Sequence, residues 1–151
     1  MTIRSATPDD LDSMMALARE STSAAQWSEK DYRDLFSAQG PHRIALVADN
    51  SQGPGAGITG FLIARHVVTE WELENLVVAA SARRKGAGNQ LLNALIATAR
   101  ETNSDSVFLE VRESNAAARA LYEKSGFQPT GRRKSYYANP IEDAILYRLS
   151  L

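Results

Sequence analysis

The sequence predicts an α/β fold with a mixed, mostly antiparallel central sheet, and three observations lead to this class. Of the 151 residues, 44% are hydrophobic and 23% are charged, a balance typical of a globular domain with a core. Strand and helix patterns alternate along the chain, and no repeat or long linker divides it. A strand, a helix and a strand follow one another over residues 71–112, which predicts a right-handed parallel crossover. We therefore expect one domain over residues 1–151.

The first half of the chain predicts two helices among three strands. The segment TIRSAT indicates a short edge strand, after which Thr7, Pro8 and Asp10 form the capping pattern of a helix that runs to about Ser23. A second helix is expected within WSEKDYRDLF. The segments RIALVAD and GITGFLIARHVV are typical of strands, and NSQGPGAG (50–57) between them predicts a flexible hairpin connection.

The second half predicts the crossover and a closing strand pair. After the strand WELENLVVAA, apolar side chains recur at helical spacing behind Gly86, as expected of a helix packed on a sheet. The strand DSVFLEVRE follows, and then the helix NAAARALYEKS, which ends at Gly126. The segments FQPTGRRKSYY and EDAILYRLSL predict two antiparallel strands. The predicted order is β-α-α-β-β-β-α-β-α-β-β, with helices on both faces of the sheet.

The composition argues against several classes of protein. The chain has no cysteine, and its only histidines are His42 and His66, so we expect no metal site. No apolar run approaches the length of a membrane span, and the first residues do not resemble a secretory signal. The net charge of -1 does not favour a nucleic-acid surface. We expect a cytoplasmic protein without direct nucleic-acid or membrane partners.

A glycine-rich loop opens the central helix, in RRKGAGNQLLNALI (83–96). Gly86 and Gly88 each cost about 1 kcal/mol against alanine if they lie inside a helix. The start of a helix leaves backbone N–H groups unpaired and carries partial positive charge, and glycine lets a ligand approach closely. A strand, a glycine loop and a helix therefore predict a phosphate-binding cradle. The residues leave open an ordinary turn with solvated charges.

The spacing of the glycines shows which known pattern of phosphate-binding loop the segment resembles. The P-loop pattern is absent, and the dinucleotide fingerprint fails because Leu91 stands at its third glycine position, which argues against a nucleotide-binding module. What remains is R-x-x-G-x-G, from Arg83 to Gly88. This pattern resembles the pyrophosphate loop of the GNAT superfamily, the acetyl-CoA-dependent N-acetyltransferases.

A second segment strengthens the resemblance. Residues 115–127, NAAARALYEKSGF, resemble the superfamily pattern N-x-x-A-x-x-L-Y-x-x-x-G-F. Asn115, Ala118 and Tyr122 share one face of the predicted helix. Both motifs begin beyond the carboxyl ends of the two parallel strands, the edge at which ligands bind in open α/β sheets. The alternatives are a plain N-cap for Asn115 and a core aromatic for Tyr122.

Within the superfamily, nearly the whole chain is similar to bacterial RimI-like ribosomal-protein-alanine N-acetyltransferases. The similar segments are QWSEKDY, ELENLVV, LEVRESNAAARALYEKSGF, RRKSYY and EDAI. The resemblance implies acetyl-CoA as co-substrate and the N-terminal peptide of a protein as acceptor, with a ribosomal protein suggested. Two departures concern the acceptor: Glu74 stands where related chains tend to carry an apolar residue, and the 50–57 hairpin is longer than usual.

The resemblance also implies catalytic roles. Glu110 is the expected base, acting through a water molecule, and Tyr122 is the expected acid that protonates the CoA thiolate. The chain has no cysteine for an acyl-enzyme, so direct transfer in a ternary complex is expected. The alternative for Glu110 is a solvated carboxylate paired with Arg112. Glu72 and Glu74 share one face of their predicted strand, and they are candidates to attract the acceptor amine or to serve as the base.

Binding roles follow from the same resemblance. The backbone of one strand would contact the acetyl and pantetheine portions, the glycine loop would hold the pyrophosphate, and Asn115 would bond the pantetheine arm. The cofactor-binding residues are Leu76, Val77, Val78, Arg84, Lys85, Gly86, Ala87, Gly88, Asn89 and Asn115. Three aromatic residues, Trp27, Tyr136 and Tyr137, are hypothesised to border the acceptor groove, and ordinary core packing is their alternative.

Two other functions remain open from the sequence. The same fold and co-substrate could serve a small-molecule amine, which a panel of peptide and free-amine acceptors would distinguish. A non-catalytic sensor of acyl-CoA would bind without releasing thiol, although Glu110 and Tyr122 argue against it.

Overall fold

A computed structural model of the chain describes residues 1–21, 24–51 and 57–151. These residues form a seven-stranded sheet of order β1-β2-β3-β4-β5-β7-β6, in which β4 and β5 pair in parallel and the other neighbours pair antiparallel. The predicted mixed sheet is therefore confirmed. The strands are β1 (Thr2–Ser5), β2 (Arg43–Asp49), β3 (Ile58–Val67), β4 (Glu70–Val78), β5 (Ser106–Arg112), β6 (Gln128–Tyr137) and β7 (Glu142–Ser150).

The helices follow in the predicted order. They are α1 (Leu11–Glu20), α2 (Glu29–Arg33), α3 (Ala87–Glu101) and α4 (Ala116–Lys124). Asp10 completes the expected capping box with Thr7, and a short 3-10 turn, Pro8–Asp10, precedes α1. The expectation that α1 reaches Ser23 is wrong in its bound, since the helix ends at Glu20 and Ser23 lies outside the described residues. Residues 52–56 of the predicted hairpin connection also lie outside them.

Helices cover both faces of the sheet, as predicted. On the first face, the apolar stripe of α3, with Leu91, Leu92 and Leu95, packs with Leu73 and Leu109 of the parallel strands. On the second face, Met14 of α1 and Tyr32 of α2 pack on residues of β2, β3 and β4. In the described part of the chain, this second core includes no residue of β5, β6 or β7. The second face is therefore uncovered by α1 and α2 where β5 carries its charged side chains.

The two parallel strands separate halfway along their length. Residues 70–73 of β4 pair with residues 106–109 of β5, and the register ends there. At the same point the β3–β4 register skips Glu74, because Ala64 faces Leu73 whereas Ile63 faces Asn75. A bulge of this kind bends a strand and increases its twist. A gap therefore opens between the carboxyl ends of β4 and β5.

Candidate active site

The gap between β4 and β5 exposes a strand edge. Leu76, Val77 and Val78 still pair with β3, opposite Leu62, Phe61 and Gly60 respectively. On their other side, the pairing with β5 has already ended at Leu73. An extended ligand can bond to such an edge as an added strand does. The three residues predicted to contact the cofactor through their backbones therefore line the gap.

The glycine loop adopts left-handed backbone conformations before α3. Arg84 has a φ of 64° and Gly86, the N-cap of the helix, has a φ of 87°. No side chain caps this helix, and the first-turn N–H groups, those of Ala87, Gly88 and Asn89, have no intrahelical acceptor. Successive N–H groups in left-handed turns form anion-binding concavities. The loop therefore has the geometry of a phosphate cradle.

The two glycines are required for different reasons. A Cβ atom at Gly86 would meet only Gln90 Nε2, at 3.9 Å, so space is open there and the positive φ is what favours glycine. A Cβ at Gly88 would lie 3.3 Å from Leu121 Cδ2 and 3.6 Å from Val78 Cγ2. Gly88 therefore lets α4 and β4 approach the start of α3. The sequence suggested close approach of a ligand at both positions, and it missed this packing role.

The cations beside the loop are available to a ligand. Among the described residues, no ion pair involves Arg83, Arg84 or Lys85, although eleven such pairs occur elsewhere. Arg84 and Lys85 are exposed. Positive charge and N–H groups thus lie together at one edge of the gap.

The start of α4 forms the other edge of the gap. Asn115 Oδ1 accepts a hydrogen bond from the backbone N–H of Ala118 at 3.1 Å, so Asn115 is an N-cap. In the described ranges, no acceptor bonds to its amide nitrogen. The cap therefore leaves the Asn115 donor free to bond a ligand in the gap.

Tyr122 is buried within α4 and is 6% exposed. Its ring lies 5.8 Å from that of Phe127 and 6.2 Å from that of Tyr147. Its hydroxyl makes no hydrogen bond with another described residue. Burial raises the pKa of Tyr122, with a further increase from Tyr137. The phenol therefore stays protonated, as an acid must.

Glu110 lies on the second face of β5, where its side chain is 16% exposed. Its Oε1 atom is 3.0 Å from Arg133 Nε of β6. The expected alternative, a pair with Arg112, is wrong, because Arg112 bonds Glu142 at 3.2 Å and also two backbone carbonyls of the β6–β7 turn. The sequence did not indicate Arg133 as the partner of Glu110, although it lies in the quoted segment RRKSYY.

Two tyrosines of β6 surround the Glu110 carboxylate. A hydrogen bond with Glu110 is the main cause that raises the pKa of Tyr136. Burial, and then the charge of Glu110, raises the pKa of Tyr137 to about 12. The charge of Tyr137 also contributes to the raised pKa of Tyr122. The ring of Tyr122 lies 6.2 Å from that of Tyr147, which pairs with Leu109 of β5, so Tyr122 and Glu110 both lie beside this part of β5.

The glutamates of β4 are both paired with arginine. Glu72 lies 2.7 Å from Arg65, and Glu74 lies 2.7 Å from Arg43. Arg43 in turn lies over the ring of Trp27, 5.4 Å from its centroid. The unusual Glu74 therefore has a local role in fixing Trp27 and Arg43 at the bulge. The pair with Arg65 also reduces the attraction that Glu72 alone would exert on a cationic amine.

A groove of about 920 Å³ lies between α1, α2 and the β6–β7 turn. Trp27, Tyr32 and Asn139 are among its lining residues, whereas Tyr136 and Tyr137 lie beside Glu110 instead. The buried amide of Asn75 fixes one wall, because it accepts from Ala25 N at 3.2 Å and donates to the Tyr32 hydroxyl at 3.4 Å. Neither Asn75 nor Tyr32 was predicted as a site residue from the sequence. A polar residue within the apolar strand ELENLVV was the available signal.

Within residues 1–21, 24–51 and 57–151, no cluster of three or more histidine, aspartate or glutamate side chains is arranged to hold a metal ion. Over the same ranges, the helices are too short or too polar to cross a lipid bilayer.

A sheet that opens between two parallel strands, beside an uncapped helix start, suits an extended ligand that carries a phosphate group. The chain belongs to the Acetyltransferase (GNAT) family, whose sequence profile matches residues 11–127. It is an acetyl-CoA-dependent N-acetyltransferase, as the resemblance implied. The family prediction and the acetyl-CoA prediction are both confirmed.

Individual relatives agree with this assignment. The chain is 37% identical over 132 residues to the [ribosomal protein bS18]-alanine N-acetyltransferase of Salmonella typhimurium, covering 85% of this chain and 83% of the relative. The crystal structure of the ribosomal-protein-S18-alanine N-acetyltransferase from Escherichia coli matches with a TM-score of 0.79 and 31% identity, over 99% of this chain and 92% of that one. Arabidopsis thaliana NAA60, solved with a bisubstrate analogue, shares the fold with a TM-score of 0.89 at 18% identity, over 99% and 97% of the two chains.

Proposed function

We propose that the chain transfers the acetyl group of acetyl-CoA to the N-terminal α-amine of a protein that begins with alanine, and that this protein is ribosomal. The relatives named for this activity support the acceptor class. The observation that carries the proposal is the gap between β4 and β5. It opens after Leu109, which precedes Glu110 and pairs with Tyr147, and the ring of Tyr147 lies 6.2 Å from that of Tyr122. A ribosomal acceptor also supports a cytoplasmic location.

The backbone of the gap is proposed to bind the co-substrate. N–H groups from Arg84 to Asn89, in the uncapped loop, bond the pyrophosphate oxygens, and the unpaired cations add attraction. The free edge of Leu76–Val78 bonds the pantetheine amides, and the amide nitrogen of Asn115 bonds the same arm. Acetyl-CoA then supplies the acetyl group as a thioester at the inner end of the gap.

Glu110 and Tyr122 are proposed to handle the two protons of the reaction. An α-amine has a pKa of about 8, so near neutral pH it must lose a proton before it attacks. Glu110 accepts this proton through a water molecule. The amine forms the new bond to the acetyl carbon, the carbon–sulfur bond breaks, and Tyr122 donates its proton to the departing thiolate. The absence of cysteine leaves direct transfer as the simpler route.

The acceptor peptide is proposed to enter through the groove beside Trp27. The groove runs between α2 and the β6–β7 turn, and Tyr136 and Tyr137 lie between that turn and Glu110. Aromatic walls suit a peptide because they offer apolar contact and hydroxyl groups together. Glu72, although paired with Arg65, adds negative charge on the route of the amine.

An acceptor panel tests the proposal. Thiol release is measured with acetyl-CoA and short peptides that begin with alanine, with the same peptides blocked at the N-terminus, and with free polyamines and amino acids. We expect turnover only with the free alanine peptides and a large loss of kcat in Glu110→Gln. Faster turnover of free amines would support a small-molecule acetyltransferase. Binding of acetyl-CoA without thiol release from any acceptor would support a sensor.

A further inference from the structure

The Glu110 carboxylate is held by a strand that does not neighbour its own. β7 lies between β5 and β6, and Ala144 of β7 pairs with Arg112 on one side and with Arg133 on the other. Ala144 is fully buried, and its side chain is a single methyl group. Arg133 therefore has room to cross β7 on the second face and to reach Glu110 Oε1 at 3.0 Å.

The ring of Tyr136 lies under the arginine that pairs with Glu110. The guanidinium carbon of Arg133 lies 5.5 Å from the centroid of the Tyr136 ring, within the range of a cation–π contact. Interaction with the Glu110 carboxylate is also the main cause that raises the pKa of the Tyr136 phenol. A planar guanidinium that contacts both a ring and a carboxylate has few orientations left. Arg133 thus contacts both Glu110 and Tyr136, and we call these three residues the β6 clamp.

Neighbouring charges on this face are already engaged elsewhere. Arg112 bonds Glu142 and the β6–β7 turn, and Arg65 pairs with Glu72. Among the ion pairs of the described residues, the one that involves Glu110 is the pair with Arg133. The carboxylate would otherwise turn about several single bonds on the uncovered face of β5. A base must lie within hydrogen-bond reach of its proton, and small misplacements cost much of the rate.

We infer that Arg133 is a positioning residue of the acetyl transfer, which holds Glu110 through the β6 clamp in the orientation that accepts the acceptor's proton. The inference rests on the proposed role of Glu110. Arg133 itself touches neither the amine nor the thioester. We therefore expect substitution of Arg133 to lower kcat. We expect this loss only when the Glu110 carboxylate is present.

Arg133→Gln tests the inference, and the adjacent arginine provides a matched control. Arg132 pairs with Glu113 and Asp143 instead of Glu110. We expect Arg133→Gln to lower kcat with an alanine peptide about tenfold and to leave the KM for acetyl-CoA unchanged. Arg132→Gln should retain the original kcat. The kcat of Arg133→Lys should lie between those of Arg133→Gln and Arg132→Gln, because lysine supplies the charge without the planar guanidinium.

A double-mutant cycle separates this inference from the proposed function. In a Glu110→Gln background, Arg133→Gln should cause no further loss of kcat, because the group it positions is gone. An equal loss in both backgrounds, or a higher kcat in Arg133→Gln, would overturn the inference and leave Glu110 as the base. Full activity of the Glu110→Gln single variant would overturn both the inference about Arg133 and the proposed role of Glu110 as the base. Thermal unfolding of each variant checks folding, and Arg133→Met, which keeps the apolar stem, replaces Arg133→Gln if the latter unfolds.

Discussion

Helices α3 and α4 begin at the same open edge of the sheet, yet their first turns are satisfied in opposite ways. α3 starts behind Gly86 without a side-chain cap. α4 starts behind Asn115, whose carbonyl oxygen accepts a hydrogen bond from Ala118 N at 3.1 Å. The first N–H groups of α3 are therefore free to bond an external anion, whereas one N–H group of the first turn of α4 is bonded by the Asn115 side chain. A helix start becomes a binding site where the sequence withholds the cap.

The charges around the two helix starts differ in the same way. The cations before α3 have no ion-pair partner in the described chain, whereas Arg119 of α4 donates to the Tyr147 hydroxyl and to the Glu113 carbonyl, each at 3.0 Å. α4 is thus bound to β7 and to the end of β5, and it presents Tyr122 from a rigid position. The start of α3 is thus suited to bind an anion, whereas the contacts of α4 fix the position of Tyr122.

Replacing Tyr122 by phenylalanine should have the largest effect, because it removes the proton donor that α4 carries. The ring contacts with Phe127 and Tyr147 remain, so the fold should be kept. We expect kcat to fall about a hundredfold, with acetyl-CoA affinity by calorimetry unchanged. A variant that loses affinity and keeps kcat would show that Tyr122 contributes to binding rather than to catalysis.

Gly86→Ala should weaken binding at the α3 start. The φ of 87° is unfavourable for alanine by roughly 1 kcal/mol, and relaxation would turn the N–H groups away from the anion. We expect about tenfold weaker acetyl-CoA binding. Gly40 is a control, because it has a φ of 109° and open space around it in a turn outside the candidate site. Equal effects of Gly40→Ala and Gly86→Ala on affinity would contradict the loop assignment.

Substitutions at Asn115 separate its contribution to capping α4 from its contribution to binding acetyl-CoA. Asn115→Ala removes the cap of α4 and should lower the free energy of unfolding by about 1 kcal/mol. Asn115→Asp keeps the capping oxygen and removes the amide donor. We therefore expect Asn115→Asp to keep the melting temperature and to bind acetyl-CoA more weakly. An aspartate variant with normal affinity would limit Asn115 to its capping role.

The pH profile tests the buried environment of Tyr122 and should show the smallest change. Burial raises the pKa of this phenol above its ordinary value of about 10. A raised pKa keeps the protonated acid present to higher pH, so kcat should not decline between about pH 8 and pH 10 through loss of this proton. The measurement is kcat with saturating acceptor. A decline in kcat near pH 9 that is absent from the Tyr122→Phe variant would contradict the raised pKa of Tyr122.

The two helix starts also show how far the sequence could lead. Helix capping and glycine punctuation are local properties, so the starts of α3 and α4 and the Asn115 cap were readable from adjacent residues. The crossover followed from the order of elements. Glu110 and Arg133 are far apart in sequence and meet across β7, and no local pattern predicts such a pair. The alternative that paired Glu110 with Arg112 was wrong for the same reason.

By itself, the sequence determined the element order, the mixed sheet, the family and its acetyl-CoA chemistry, because these depend on periodicity, caps and two contiguous motifs. The tertiary structure alone decided where β4 and β5 separate, why Gly88 must be small, and which arginine partners Glu110. Those outcomes depend on register between strands and on packing between α3 and α4. Contacts between distant residues arise only once the sheet has assembled, since a bulge at Glu74 or a methyl group at Ala144 acts through its neighbours in space.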